Sequence, residues 1–401
     1  MNRPISVEEA AALCREKTAA LPPAAVPLSR ALGCVLAEEV TARQDQPLFD
    51  RSPLDGYALR SADTAIAGEG CPVSLRFIAT IYAGTDAGGL TVERGTAVRI
   101  LTGGMVPSGA DCVVRQEEVR REGERVYLTA PLAAGENICR AGGEYRAGEP
   151  LLARGLLIDS AAIAVAAGAG VSSLRVFPRP RAAILATGDE LRPAGTPLRP
   201  GQIWDCNTPY LASRLTQLGA DAALIRHAGD DRQEIADALL SAAEAADAVF
   251  TTGGVSVGER DLLPEVLSRL GAQVVFHGVA MKPGMPTLFA LLRGKPVLAL
   301  SGNPFAAAVG LEVLGRPMLA ALTGGSHLLP VRTTAILEND FPKKSPACRY
   351  VRGTLREGRI TLPGRQENAQ MRSMVGCNAL AVIPAGSPPL SAGEQVEVLL
   401  L

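Results

Sequence analysis

Residues Thr251–Asp261 read TTGGVSVGERD and follow the apolar run Ala248–Phe250. This run is typical of a buried parallel strand, and the i, i+3, i+4 apolar spacing of Leu262–Leu267 predicts a helix. A strand, a glycine-rich turn and a helix form an anion cradle, because glycines let backbone N–H groups approach a phosphate and the helix N-terminus adds partial positive charge. The carboxylates of Glu259 and Asp261 would repel that phosphate unless a divalent cation lay between them. The stretch therefore predicts a nucleotide-like ligand handled with Mg²⁺.

The composition indicates a multidomain protein without a polyanionic partner. At about 150 residues per domain, 401 residues suggest roughly two to four domains. A formal net charge of −1 provides no field that would attract nucleic acid, so we expect none.

The cysteines and the apolar segments indicate the compartment. The eight cysteines are scattered without a C-x-x-C pair, which is typical of a reducing cytosol, and three histidines make a zinc site unexpected. No signal peptide is visible, and the apolar stretch Leu156–Val171 is interrupted and too short to span a bilayer. We expect a cytoplasmic protein that does not enter a membrane.

The hydrophobic pattern changes along the chain. A capping box at Ser6 begins a helix that we expect to reach about Ala20. Short β-type runs fill Leu48–Glu149, strands alternate with helices from Arg181, and short β segments return after Pro330. Alternation of strands and helices predicts a parallel sheet covered on both faces.

Such sheets bind ligands at the carboxyl ends of their strands. Within this region, Pro286–Leu292 and Pro296–Leu300 predict a hairpin, and Asn207 or Thr208 is expected to cap the helix that contains Pro209. The loops expected to meet at the carboxyl edge are Thr187–Glu190, His227–Asp231, Thr251–Asp261 and Leu300–Pro304.

Acidic residues in these loops suggest a metal site. Glu190, Asp230, Asp231 and Asp261 could each be an ordinary cap or turn residue. Their convergence beside a phosphate loop favours Mg²⁺, which takes a few carboxylates together with waters and phosphate oxygens.

Other candidates have plain structural alternatives. Lys282 lies in the rigid turn MKPGMP and could be a surface lysine, or a cation for phosphate or another oxyanion such as molybdate. Ser301–Pro304 resembles a second anion-binding turn, or a simple helix start capped by Asn303. Asp55 could belong to a hairpin turn.

Seven segments, in order over nearly the whole chain, resemble the molybdopterin molybdenumtransferase family, of the MoeA type to which the E domain of gephyrin belongs. They are Ser52–Ala58, Ile100–Val114, Thr187–Leu191, Gly201–Asn207, Thr252–Asp261, Lys282–Gly284 and Gly302–Pro304. Each motif is weak alone, but their shared order is highly specific.

The resemblance implies an elongated homodimer of multidomain α/β plus β class. It implies a central three-layer α/β domain with a parallel-type sheet, a β-rich insert lobe and a small C-terminal β-barrel. The implied domains are a discontinuous linker and dimerisation region at 1–45 and 147–176, the β-rich lobe at 46–146, the αβ substrate- and nucleotide-binding domain at 177–326 and the barrel at 327–401.

The implied activity is insertion of molybdate into adenylylated molybdopterin, with release of AMP, dependence on Mg²⁺ and a transient contact with the molybdopterin adenylyltransferase. The implied catalytic residues are Asp55, Glu190, Asp230 and Asp261, of which the last three would also bind the metal. The implied substrate-binding residues are Thr102, Thr187, Gly253, Gly254, Ser256, Lys282, Ser301, Asn303, Pro304 and Arg352. Asp55 and Thr102 would reach the site from the partner subunit.

The chain departs from the family pattern at four places. Gly278 replaces a frequent basic residue, Ser301 replaces a proline, Glu144 stands where an aspartate is expected, and Asn368 lies in a segment that has lost a serine and two glycines. Most of these changes concern anion binding, so two alternatives stay open: a paralogue that inserts tungstate or another oxyanion, and a non-catalytic nucleotide-binding scaffold. A simple pterin adenylyltransferase is excluded by the additional lobes.

Overall fold

The chain folds into two compact units. The computed structural model describes residues 3–256, 258, 261–364, 367 and 369–401. The first unit comprises Met1–Glu38, Arg154–Asp159 and Ser173–Leu401, and the second comprises Glu39–Ala153 and Ser160–Ser172. The finer division into four domains stays a prediction.

The N-terminal segment of the first unit begins with a capped helix. The Ser6 hydroxyl accepts a hydrogen bond from a backbone N–H of the first turn at 3.1 Å, which confirms the predicted cap. The helix ends at Glu16 rather than near Ala20, and the next turn closes with the Thr18 hydroxyl donating to Cys14 O. The elements here are α1 (Val7–Glu16), β1 (Ala24–Pro27), α2 (Leu28–Ala31) and β2 (Val35–Leu36).

The second unit is rich in short strands, as predicted. Its elements are β3 (Val40–Thr41), β4 (Gly56–Leu59), β5 (Val73–Ile81), β6 (Thr96–Ile100), β7 (Cys112–Arg115), β8 (Val119–Glu122), β9 (Arg125–Leu128), β10 (Pro150–Leu152) and α3 (Ser160–Gly168). Six strands form a sheet in the order β7-β4-β6-β5-β9-β8, in which only β5 and β6 pair in parallel. Tyr57 and Leu59 enter one apolar cluster and Ala58 enters another, so both faces of the sheet are covered.

The remainder of the first unit begins with alternating strands and helices. The elements are β11 (Ser173–Phe177), β12 (Arg181–Thr187), β13 (Leu191–Arg192), β14 (Ile203–Trp204), α4 (Asn207–Gln217), β15 (Asp221–Ala228), α5 (Arg232–Ala245), β16 (Ala248–Thr252), α6 (Leu263–Arg269), β17 (Gln273–His277), β18 (Met281–Lys282), β19 (Leu288–Leu292), β20 (Lys295–Leu300), α7 (Pro304–Gly310) and α8 (Arg316–Thr323). A π-helical turn, Leu311–Gly315, joins α7 to α8. Strand β11 pairs with β1 and β2 in a separate antiparallel sheet.

The central sheet has the strand order β15-β12-β16-β20-β19-β17. The first four of these strands are parallel, and β19 runs antiparallel to both of its neighbours. Strands β19 and β20 form the predicted hairpin.

Helices cover both faces of this sheet. Ala182 and Ile184 of β12 pack in an apolar cluster that includes residues of α4, α7 and α8, whereas Ala183 and Leu185 pack in a second cluster with α5 and α6. This alternation follows from the period of two along a strand. The three-layer α/β arrangement is therefore confirmed.

The C-terminal strands close into the predicted small barrel. They are β21 (Arg332–Leu337), β22 (Cys348–Arg356), β23 (Arg359–Thr361), β24 (Ala379–Ile383) and β25 (Gln395–Leu400). The pairing runs β22-β23-β21-β25-β24 and returns to β22, so the barrel has five strands. Strand β18 pairs in parallel with the first two residues of β22, with Lys282 opposite Arg349.

One helix among the described residues, Pro304–Thr323, is long and apolar enough to cross a membrane. However, 94% of its apolar window is buried inside the structure. Its side chains belong to the apolar cluster that packs on the central sheet. It is the core helix of the αβ region.

Candidate active site

Three neighbouring parallel strands, β12, β16 and β20, end beside a cavity of about 1010 Å³. Residues from the loops that follow these strands line it, together with Asp230 from the loop after β15. The expected convergence at the carboxyl edge is therefore confirmed. The predicted site residues on the cavity wall are Thr187, Glu190, Asp230, Gly253, Gly254, Ser256, Asp261, Lys282, Ser301, Asn303 and Pro304. Their individual roles stay predictions.

The glycine-rich loop needs its glycines for conformation and for space. Gly253 and Gly254 have φ values of 92° and 62°, a region that side chains rarely adopt. A Cβ on Gly253 would lie 2.5 Å from Thr187 O, and one on Gly254 would lie 2.9 Å from Thr187 Oγ1. The two glycines therefore let the loop pack closely against Thr187, and Gly253 N–H donates to Leu300 O at 3.3 Å. Glu259, which the sequence places in the same loop, lies outside the described residues.

The Thr187 hydroxyl is a buried polar group on the side of the cavity loops. Its Oγ1 is buried, and within the described part of the chain it makes no hydrogen bond. A buried unsatisfied hydroxyl costs about 1–3 kcal/mol. An acceptor or donor atom of a ligand bound in the cavity would remove that cost.

Asn207 fixes the N-terminus of α4 to the cavity loops. Its Nδ2 donates to Thr252 Oγ1 at 2.7 Å and to Gly302 O at 2.8 Å. The expected cap of α4 by Asn207 or Thr208 is wrong, because Asp205 Oδ1 accepts from both of their backbone N–H groups. The family motif contains Asn207, but local sequence spacing gives no sign that its side chain spans two other loops.

The turn before α7 does not form the simple cap by the Asn303 side chain that the sequence also allowed. Among the described residues, the Asn303 side chain makes no capping hydrogen bond, although Asn303 is the N-cap and Pro304 is the first helical residue. The Ser301 hydroxyl instead accepts from Asn303 N–H at 3.3 Å. Both side chains line the cavity.

The carboxylates share the cavity but are not assembled into a cluster. Glu190, Asp230 and Asp261 all line it, and Asp261 Oδ2 also accepts from Gly258 N–H at 2.7 Å. No group of three or more His, Cys, Asp or Glu side chains among the described residues is arranged to hold a metal ion. Asp231 is a helix cap, because its carboxylate accepts hydrogen bonds from two backbone N–H groups at the start of α5. Metal binding by the other three stays a prediction.

The two predicted cationic residues occupy different environments. Lys282 is exposed on β18 and lines the cavity. Arg352 is fully buried and is absent from the cavity wall, its guanidinium stacking 3.8 Å from the ring centre of Phe305. Arg352 donates to Gln370 O at 2.5 Å and to Glu367 O at 2.7 Å, and burial lowers its pKa. In this structure Arg352 therefore holds neighbouring backbone, and its contact with substrate stays a prediction.

Asp55 and Thr102 form a hydrogen-bonded pair in the second unit. Asp55 Oδ1 accepts from Thr102 N–H at 2.8 Å and from Thr102 Oγ1 at 2.7 Å. These two hydrogen bonds hold the pKa of Asp55 below its ordinary value. The carboxylate is thus kept ionised and oriented.

The position of one departure from the family pattern has a structural reason. Gly278 has φ 110°, which favours glycine, and its carbonyl accepts from Ile5 N–H at 3.2 Å. Glu144 N–H donates to Gln46 O at 2.9 Å in the second unit. Asn368 lies outside the described residues.

The fold and cavity define a class: a multidomain α/β protein with glycine-rich loops around a cavity at the carboxyl edge of its sheet. Family models match three successive parts of the chain. The MoeA N-terminal region (domain I and II) matches residues 5–170, a probable molybdopterin binding domain matches 183–321, and the MoeA C-terminal region (domain IV) matches 334–401.

Relatives and solved structures extend this match over the full length. Molybdopterin molybdenumtransferases of Staphylococcus aureus (strain COL) and Staphylococcus epidermidis (strain ATCC 12228) are each 34% identical, covering 100% and 99% of this chain and 96% of their own. A crystal structure of the Pyrococcus horikoshii OT3 molybdopterin biosynthesis moeA protein has 28% identity, a TM-score of 0.82 and complete coverage of both chains. The chain belongs to the MoeA family of molybdopterin molybdenumtransferases, enzymes of molybdenum cofactor biosynthesis.

Proposed function

We propose that this chain inserts molybdate into adenylylated molybdopterin and releases AMP in a Mg²⁺-dependent reaction. The observation that supports it most is the convergence of a glycine cradle, three carboxylates and Lys282 on one cavity. That cavity is lined mainly by residues of the segment that matches the probable molybdopterin binding domain.

The nucleotide phosphate is assigned to the glycine loop. The backbone N–H of Gly254 and the hydroxyl of Ser256 would donate to its oxygens, while Gly253, whose own N–H donates to Leu300 O at 3.3 Å, would shape the loop. The Thr187 hydroxyl, which has no hydrogen-bond partner among the described residues, lies beside this loop and would complete the donor set. Fixed donors of this kind stabilise charge without reorganising during the reaction.

The donor set fits Mg²⁺. Glu190, Asp230 and Asp261 offer carboxylate oxygens on one cavity wall, and Mg²⁺ usually takes one or two carboxylates and completes its shell with waters and phosphate oxygens. A preassembled cluster of three ligands is therefore not required. When bound, the ion would neutralise phosphate and oxyanion charge.

The entering oxyanion is assigned to Lys282, Ser301 and Asn303. The lysine would supply positive charge, and the other two would supply hydrogen-bond donors at the start of α7. Asp55 and Thr102 would approach the same site from a partner subunit in a homodimer. We place the enzyme in the cytoplasm, with the molybdopterin adenylyltransferase as a transient partner.

The test is AMP release from purified protein given adenylylated molybdopterin, Mg²⁺ and either molybdate or tungstate. We expect release with molybdate and none without oxyanion or with a chelator. Faster release with tungstate would favour the paralogue, and binding without release under either oxyanion would favour the scaffold.

A matched pair of variants tests the assignment of the carboxylates. Asp230→Ala should lose AMP release, whereas Asp231→Asn should keep it, because Asp231 caps α5 and an asparagine retains that cap. Equal rates in the two variants would contradict the role of Asp230.

A further inference from the structure

Trp204 is the single tryptophan of the chain, and it lies on the cavity wall with 54% of its surface exposed. Tryptophan is usually largely buried in folded proteins. Among the described residues that line this cavity, no other carries an aromatic ring. Internal packing therefore does not account for its position.

The indole is held in place rather than free at a loop tip. Its Nε1 donates to Thr196 O at 2.8 Å, which satisfies its polar atom. The backbone on each side of it is also fixed, since Ile203 N–H donates to Glu190 O and Asp205 N–H donates to Arg192 O, both at 2.8 Å. Asp205 in turn caps α4. The ring is thus a preorganised part of the cavity wall.

The surroundings of the indole are suited to a planar apolar group. Ile203 and Met285 line the same cavity and are 54% and 49% exposed, so three large apolar side chains are open to one site. In the part of the chain that the structure describes, no ring or guanidinium stacks on Trp204. Ligand pockets commonly combine such an apolar wall with a few polar groups that fix orientation.

We propose that Trp204 is a stacking platform for a planar nitrogen heterocycle of the substrate, either the pterin or the adenine. This inference rests on the proposed function, which supplies a ligand with both ring systems. The face of an indole stacks on any such ring, and the fixed Nε1 hydrogen bond orients that face. Trp204 would then help to select the substrate class while the glycine loop holds the phosphate.

The experiment measures binding of two probes, AMP and 6-carboxypterin, by titration calorimetry. We expect Trp204→Ala to weaken binding of at least one probe about tenfold and Trp204→Phe to restore most of the affinity, because phenylalanine keeps an aromatic face. The matched control is Ile225→Ala, which removes an apolar side chain of similar exposure, 53%, that does not line the cavity. If the probe that depends on Trp204 is AMP, the ring on the indole is adenine; if it is 6-carboxypterin, the ring is the pterin.

The sole tryptophan also provides a direct signal. AMP does not absorb at the wavelength that excites tryptophan selectively, so stacking of adenine should appear as saturable quenching of wild-type fluorescence. Unchanged affinity of Trp204→Ala for both probes, with normal wild-type binding, would overturn the stacking role and leave the proposed function intact. A wild-type protein that binds neither probe but releases AMP from adenylylated molybdopterin would likewise overturn only the stacking role. Failure of the wild type in both assays would overturn both proposals.

Discussion

A buried hydroxyl at the cavity edge of the central sheet and the buried ion pairs of the core helix differ in whether their hydrogen bonds are satisfied. At the cavity, the buried Thr187 hydroxyl has no partner among the described residues. In the core helix, Glu312 is 1% exposed and accepts hydrogen bonds from Arg214 at 2.6 and 3.1 Å and from Arg316 at 3.3 Å. Fully partnered polar groups specify one arrangement of the fold, whereas an unpartnered one is suited to a ligand.

The ion pairs of Glu312 with Arg214 and Arg316 also join separate parts of the first unit. Arg214 belongs to α4 and Glu312 to the π-helical turn, while Arg316 donates to Leu328 O at 2.8 Å and to Leu400 O at 2.9 Å. The guanidinium groups therefore connect α4, the core helix and the last barrel strand. These buried polar groups therefore stabilise the first unit.

The largest expected effect is on stability. Glu312→Ala leaves the buried guanidinium of Arg316 and the partly buried guanidinium of Arg214 without their carboxylate, so we expect a loss of about 3–5 kcal/mol in the free energy of unfolding. Chemical denaturation measures it. The matched control is Glu244→Ala, which removes an exposed ion pair with Arg293 and should cost no more than about 1 kcal/mol. Similar losses in both variants would remove the distinction between the two kinds of site.

The second-largest expected effect is on the rate of AMP release, without a loss of stability. Asp261→Ala should slow AMP release at least about 100-fold while leaving the fold intact, because it removes a charge proposed to hold Mg²⁺ at the cavity. Asp261→Asn separates charge from structure, since an asparagine oxygen still accepts from Gly258 N–H. We expect the asparagine variant to be nearly as slow. Unchanged release by Asp261→Ala would exclude the proposed role.

A third variant tests whether the glycine loop is shaped for close approach. Gly253→Ala combines a strained φ with a Cβ 2.5 Å from Thr187 O, so AMP affinity should fall about tenfold (about 1.4 kcal/mol). Gly271→Ala is the matched control, because Gly271 also has a positive φ, 73°, but a Cβ there would meet no atom within 4 Å. That control should lose some stability but no affinity. Calorimetry with AMP distinguishes a lost cradle from general backbone strain.

The smallest expected effect is on the pKa of Asp55, which accepts solvent-exposed hydrogen bonds from Thr102. Asp55 has a lowered pKa because of two hydrogen bonds from Thr102, so its contribution to stability is present above its unfolded pKa, about 3.9, and is lost as pH falls through the lower folded value. Thr102→Val removes the hydroxyl bond and keeps the backbone bond. We expect the pKa of Asp55 to rise part of the way toward its ordinary value in a carboxyl NMR titration. An unchanged pKa would mean that the hydroxyl contributes nothing.

Local patterns predicted the parts of the site that depend on neighbouring residues. Glycines between an apolar run and an amphipathic helix predicted the Thr251–Asp261 loop, and the rule for parallel sheets predicted which loops would meet. The helix starting after Ser6 was predicted because a capping box is local. Its end was not, because helix ends depend on competing local hydrogen bonds.

Features that depend on tertiary contacts were missed. The two-residue strand β14 is too short to show a period, so nothing indicated that Trp204 would be held on the cavity wall. The side chain of Asn207 spans loops that are distant in sequence. Arg352 was expected at the substrate because it matches the family's F-x-R motif, and the backbone carbonyls of Glu367 and Gln370 that accept its hydrogen bonds come from another loop.

The pairing of β18 with the barrel determines whether the barrel can be separated from the rest of the chain. The lysine at the cavity lies on β18, which pairs with the barrel strand β22, and the paired residues Met281 and Cys348 are 67 residues apart in the chain. A gene truncated before the barrel would still encode every glycine loop of the cavity but would leave β18 as an open edge. The barrel is therefore not an interchangeable appendage: recombination or fusion that replaced it would remove the strand that pairs with β18 and would also replace Ala347 and Ala369 on the cavity wall.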